Sequence, residues 1–173
     1  MLGFAMLVFS STSALAAEAY AYHFSIAGNN GYGTLQVDDL GGGVYWATSG
    51  NLIVTAGSAV GEYALDPVGP VTALYNYFTV NNLLYPDANP YLDINGLSFS
   101  ATGIQINLFG DTPGVWLFAW RREGDARNTY MGAEAGDNFA LEAAAVPEPE
   151  SLAILALGLG LMAWGRRRAT GAK

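Results

Sequence analysis

Between residues 19 and 27 the side chains alternate, with Tyr20, Tyr22, Phe24 and Ile26 on one side and Ala21, His23 and Ser25 on the other. Period two over that length predicts a strand with one buried face. Gly28-Asn29-Asn30-Gly31 is rich in residues that tolerate positive φ and predicts a turn, with a returning strand over 34–37. Gly41-Gly42-Gly43 interrupts the chain before a run at 44–48, and Gly50-Asn51 signals another turn before 52–55. Further strands are predicted over 59–64, 71–80, 96–100, 104–109, 115–120 and 139–143. Runs spaced by roughly 8–12 residues, with Gly, Asn, Asp or Pro between them, suit an all-β fold, an antiparallel β-sandwich or jelly-roll-like ectodomain. No helical period and no internal repeat precedes residue 146.

The pattern changes at both ends. Residues 1–8 are almost wholly apolar, Ser10 to Ser13 are small and polar, and Ala14-Leu15-Ala16 resembles a signal-peptidase site. A signal peptide over 1–16 is therefore expected, with a mature start near Ala17. No Lys or Arg occurs before Arg121. A leader normally opens on positive charge, so the expectation is either a start internal to a longer leader, the favoured reading, or an atypical signal. At the other end, Val146-Pro147-Glu148-Pro149 is a stiff acidic segment whose prolines exclude a strand or helix interior. Thirteen residues without a charged or polar side chain follow, Leu152 to Trp164, and then Arg166-Arg167-Arg168. Such a run can satisfy its own backbone as a helix in lipid, and the arginines act as a cytoplasmic stop. It is shorter than the span of about 20 apolar residues that crosses a bilayer fully.

Pro-Glu-Pro, then an apolar helix over 152–164, then arginines at the extreme C-terminus resemble the PEP-CTERM sorting signal of Gram-negative bacteria. The resemblance covers residues 146–173 and implies sorting by a membrane processing enzyme of the exosortase type. It implies Val146, Pro147, Glu148 and Pro149 as the recognised segment, Arg166, Arg167 and Arg168 as the stop, and insertion in the inner membrane before processing. Bearers of this signal tend to come from bacteria that make exopolysaccharide and biofilm, so the cell surface or extracellular matrix is the implied destination. A looser resemblance, to loops of PEP-CTERM ectodomains, lies in Tyr85-Pro86 through Asn95-Gly96. It carries no chemistry. The organisation expected is thus a leader over 1–16, a β-rich ectodomain over 17–145 and the sorting signal over 146–173.

Composition narrows what the ectodomain can do. Residues 17–145 hold thirteen acidic side chains against three arginines, a net of −10, with no lysine. That charge repels phosphate backbones and argues against nucleic acid. There is no cysteine, hence no disulfide and no thiolate chemistry. Asp87, Asn89, Asp93 and Asn95, ending in Gly96, offer four oxygen ligands for calcium. The spacing is not that of an EF-hand, and Asx turns around prolines account for the same residues. Glu134, Asp137 and Asn138 form a weaker cluster. His23 is the single histidine, and no Gly-x-Ser-x-Gly elbow accompanies it. Asp38-Asp39 reads as a solvated turn. No nucleotide-binding glycine motif is present.

Aromatic residues are abundant. Trp116, Phe118 and Trp120, at period two, read as the core face of one strand, with Arg121-Arg122 at its end, reaching solvent or pairing with Glu123 or Asp125. Three functional readings follow: a non-enzymatic exported surface or matrix protein with no cofactor, a carbohydrate- or calcium-binding module within that matrix, and a hydrolase. An exposed aromatic patch beside Asp93 and Asn95 would favour the second.

Overall fold

The structure is a computed structural model that describes residues 18–125 and 129–144. The leader over 1–16, the apolar segment 152–164, the Pro-Glu-Pro residues and the arginine cluster lie outside the described residues. The described residues form one compact unit.

All twelve described elements are strands: β1 (Glu18–Ile26), β2 (Asn29–Gly41), β3 (Val44–Ala56), β4 (Gly61–Leu65), β5 (Ala73–Tyr75), β6 (Phe78–Val80), β7 (Leu83–Leu84), β8 (Leu97–Ala101), β9 (Ile104–Gly110), β10 (Val115–Arg122), β11 (Thr129–Ala135) and β12 (Phe139–Ala143). Ten belong to one antiparallel sheet in the order β11-β10-β9-β8-β4-β3-β2-β1-β12, with β7 alongside β3, and β5 and β6 form a separate hairpin. The all-β antiparallel expectation holds. A two-sheet sandwich or jelly roll would cross between layers, whereas this path is a meander in a single curled sheet, a half-barrel. Alternation along a strand shows which side chains face inward but not whether the inward faces belong to one sheet or two.

The curl is visible in its ring contacts. Tyr22 of β1 approaches Phe99 of β8 at 6.2 Å, and Phe24 stacks on Phe118 of β10 at 5.7 Å. Phe139 of β12 stacks on Trp116 of β10 at 4.7 Å. These strands stand far apart in the order, so their rings meet only because the sheet bends around a shared core. Glycines opposite aromatic residues permit the bend. Gly31 and Gly33 of β2 pair with Phe24 and Tyr22, whose rings fill the space a side chain would take. A Cβ on Gly33 would lie 2.0 Å from the Asn51 carbonyl oxygen and 2.5 Å from the Tyr22 hydroxyl.

Several boundaries differ from the sequence pattern. The turn after β1 is Ala27-Gly28, and Asn29 to Gly31 already belong to β2. Gly50-Asn51 is no turn, because β3 runs through it. The buried positions of β3 shift from Leu52 and Val54 to Ala47, and the register against β2 slips beside Thr48. A bulge of this kind reverses the inward face, which reads in sequence as a break. The run 71–80 divides into β5 and β6 around Asn76, at φ 51°. Strand β11 is absent from the alternation pattern, since small residues (Gly132, Ala133, Ala135) supply little contrast.

Between Asp66 and Leu97 the chain makes an excursion from the sheet, touching it through the short β7 beside β3. Val68, Val80, Leu84 and Leu92 of this excursion are buried. It also covers outward positions of β8 and β9, so Ser98, Gln105 and Asn107 are buried although they alternate with the core residues Phe99, Ile106 and Leu108. Amides and hydroxyls suit these positions because the covering backbone needs partners. Gln105 Nε2 donates to Tyr75 O (3.0 Å) while its Oε1 accepts from Tyr77 N (2.9 Å). Asn82 Nδ2 donates to Asp66 O (2.9 Å), and its Oδ1 accepts from Ser98 N (3.0 Å).

Candidate functional site

The residues singled out as oxygen ligands share one loop but not one focus. Asp93 Oδ1 accepts from the backbone N–H groups of Asn95 and Gly96, both at 2.9 Å, which is an Asx turn. Its Oδ2 accepts from Asn81 Nδ2 at 2.7 Å and Asn95 Nδ2 at 3.4 Å. Asn89 Oδ1 is turned to Gly114 N at 3.0 Å, and Asp87 is exposed. Tyr91, between them, packs on Trp116 at 5.6 Å, and Leu92 is fully buried. The loop therefore closes the core, with the half-buried Tyr85 near enough to Asp93 to feel its charge. Among the described residues no group of three or more His, Cys, Asp or Glu side chains gathers around a common point.

The remaining candidates are dispersed. His23 is exposed on β1 with Tyr32 and Ala140 as its cross-strand neighbours. Asp39 Oδ1 accepts from Gly41 N at 2.7 Å and shapes the end of β2. Glu134 Oε2 accepts from Ala27 N at 2.6 Å, whereas Asn138 Nδ2 donates to Ala135 O at 3.0 Å and Asp137 faces solvent. Trp116 and Phe118 are buried, as their period predicts, and Trp120 packs partly against the same core.

Buried polarity concentrates around Asp66, which is 5% exposed. Its Oδ2 accepts from Ser98 Oγ at 2.5 Å and Ser100 Oγ at 3.0 Å. Gln105 Nε2 reaches Ser98 Oγ at 2.8 Å. Asn107 Oδ1 is buried without a partner, while its Nδ2 donates to Asn95 O at 3.1 Å. This network fastens the excursion to β8 and β9. Sequence alternation assigns these positions to solvent, and only their amide and hydroxyl character hints at a covered face.

Above this network lies a cleft of about 250 Å³. Its walls come from two turns, Asn76-Tyr77 between β5 and β6 and Thr102-Gly103 between β8 and β9, with Glu123 at the end of β10. Ser100, Gln105 and Arg121 form one cross-strand row beneath, across β8, β9 and β10. The Arg121 guanidinium lies over the Tyr77 ring, 4.4 Å from its centroid, and its Nε donates to Asp125 O at 3.2 Å. Arg121 thus meets an aromatic face and the Asp125 backbone carbonyl.

Several tyrosine hydroxyls are hard to ionise. Burial holds Tyr22 well above its ordinary pKa. Burial and then the hydrogen bond to Glu18 raise Tyr20, and burial with the Asp93 charge raises Tyr85.

Compared with known proteins, residues 145–169 match the family model described as the PEP-CTERM protein-sorting motif. No curated protein and no solved structure matches the chain. The chain thus carries the sorting motif in its tail, and the motif marks an exported protein handled at the membrane by exosortase-type machinery.

Proposed function

From the sorting motif at 145–169 we propose that this is a non-enzymatic exported protein, delivered through its tail and retained at the cell surface or in the extracellular matrix. The motif is the single observation that carries the reading. Its acidic Pro-Glu-Pro, apolar segment and arginines are ordered as a signal that enters the membrane and is then processed. The ectodomain supports the non-enzymatic part. Asp66 and Asp93 accept hydrogen bonds that hold loops in place, and His23 stands on an open strand face. An exopolysaccharide is the matrix partner this reading favours, and calcium has no gathered set of carboxylates to bind among the described residues.

The test replaces both Pro147 and Pro149 with Ala in the native host and follows the protein through membrane, surface and medium fractions. Retention of the variant in the inner membrane, with the unaltered chain at the surface, is the expected outcome. Identical distributions of the two chains would remove the tail from the account.

A further inference from the structure

The cleft above Gln105 is organised more tightly than a surface depression requires. Gln105, 2% exposed, grips the β5–β6 turn with both ends of its amide, donating to Tyr75 O and accepting from Tyr77 N. The Tyr77 ring is fixed from one side by Arg121 at 4.4 Å. Opposite it, Glu123 N donates to Gly103 O at 2.6 Å, tying the end of β10 to the β8–β9 turn. Three separate connections are thus locked around one space.

Backbone conformation points to the same place. Asn76 and Thr102 are non-glycine residues at φ 51° and 41°, and both line the cleft. Each opens a two-residue hairpin loop, where the turn itself requires positive φ, and a β-branched residue meets that requirement less readily than Asn. Glycine would be the relaxed choice at Thr102. Threonine adds a hydroxyl at the rim of the cleft.

The chemistry on offer is mixed and uncharged apart from one carboxylate. The side chains of Asn76, Tyr77 and Thr102 each donate and accept, and Glu123 accepts. Ile104 and the Tyr77 ring supply apolar wall. Among the described lining residues Glu123 is the one charged side chain, and it repels an anionic ligand, while Arg121 lies over the Tyr77 face and donates to the Asp125 carbonyl. A polyol carries donor and acceptor at every hydroxyl, with apolar C–H edges between them, and matches this lining. The volume of about 250 Å³ falls below the roughly 300–1,000 Å³ that holds drug-sized ligands, and it suits one ring.

We propose that this cleft binds a single neutral sugar ring, with Glu123, Asn76 and Thr102 bonding its hydroxyls and Tyr77 packing against its C–H face. The assignment deepens the matrix reading and rests on it for the source of the ligand. Its test is independent of sorting, because binding is measured on the purified chain.

The experiment is saturation-transfer difference NMR on the full chain in a zwitterionic, sugar-free detergent. The probes are the methyl glycosides of glucose, galactose, mannose and N-acetylglucosamine, with methyl galacturonoside and calcium chloride as charged controls. At least one neutral glycoside should receive transfer, and both Glu123→Gln and Thr102→Gly should weaken it by about tenfold, the loss of one charge-assisted or strained-site hydrogen bond. Thr102→Gly should leave the melting temperature unchanged or raised, which separates lost binding from lost folding. Transfer to none of the neutral glycosides, transfer unchanged in both variants, or a response to galacturonoside or calcium alone would overturn the proposal. Should the sugar bind, affinity that rises from the monosaccharide to its linear oligomers would place the natural source in a polymer, and equal affinity would place it in free sugar.

Discussion

At the scale of single residues, the fold depends on side chains that sequence alternation would place in solvent. Asp66 is an acidic residue beside a proline, the composition of an exposed loop, yet it accepts from the hydroxyls of Ser98 and Ser100 beneath the excursion. Asp66→Ala would leave those buried donors without their acceptor, at about 2–3 kcal/mol. Urea unfolding should show a lower midpoint at unchanged slope, and a midpoint equal to that of the unaltered chain would contradict the role. Gly33 is a second such residue. A methyl there meets the Asn51 carbonyl oxygen at 2.0 Å, so backbone must move, and Gly33→Ala should cost more than the roughly 1–3 kcal/mol of ordinary overpacking. Circular dichroism against temperature would show it as a large drop in melting temperature or as failure to fold. Neither effect is legible in the sequence, because each depends on an atom contributed by a strand or loop distant along the chain. The Trp116 and Phe118 positions are legible, since period two and size together leave only the core for them.

At the scale of elements, the strands that announce themselves are those with large side chains alternating against small or polar ones. Strand β1 shows this best, and its predicted faces are the observed ones: Tyr20, Tyr22, Phe24 and Ile26 buried, His23 and Ser25 exposed. Strand β3 shows how the signal fails. A bulge beside Thr48 inverts its parity, and a continuous strand then reads as two. Of the excursion from Asp66 to Gly96, sequence reasoning reaches a strand over 71–80, seen as β5 and β6, and a proline-bounded loop over 85–96. Its function as a cover for β8 and β9 is a tertiary fact. The tyrosines of β1 also set a pH dependence. Burial raises the Tyr22 and Tyr20 hydroxyls above the ordinary value of about 10, so the folded chain keeps protons that the unfolded chain releases. The unfolded state then binds fewer protons, and stability falls with rising pH. The contribution is complete below about pH 10 and is lost above it. Thermal melts from neutral pH upward should be flat in this contribution and then descend, and Tyr22→Phe should flatten the descent. A melting temperature that climbs through that window would contradict the burial of these hydroxyls.

At the scale of the whole molecule, two kinds of information were written in different ways. The sorting signal lies in a short contiguous motif whose three physical parts are read directly from residue type, and the match at 145–169 agrees with it. The candidate cleft is assembled from two hairpin turns and the end of β10 and was not legible. Asn76 and Thr102 carry no motif, and their positive φ becomes apparent only once the hairpins close. The calcium-like spacing of Asp87, Asn89, Asp93 and Asn95 drew attention because it is local, and at Asp93 that locality is expressed as an Asx turn. The last described strand, β12, ends at Ala143, and Ala144 N donates to Ala19 O at 2.7 Å, so the described sheet ends before the sorting motif begins. Removal of the tail should therefore leave the ectodomain's melting temperature unchanged.

The central claim is that the tail is a transient sorting signal, and the intact mass of the protein from surface and membrane fractions of its native host tests it most directly. The account predicts a surface species that begins near Ala17 and has lost the tail through a cut near Pro147 to Ser151. A species that keeps Arg166 to Arg168 and stays wholly in the inner membrane would make the tail a permanent anchor and contradict it.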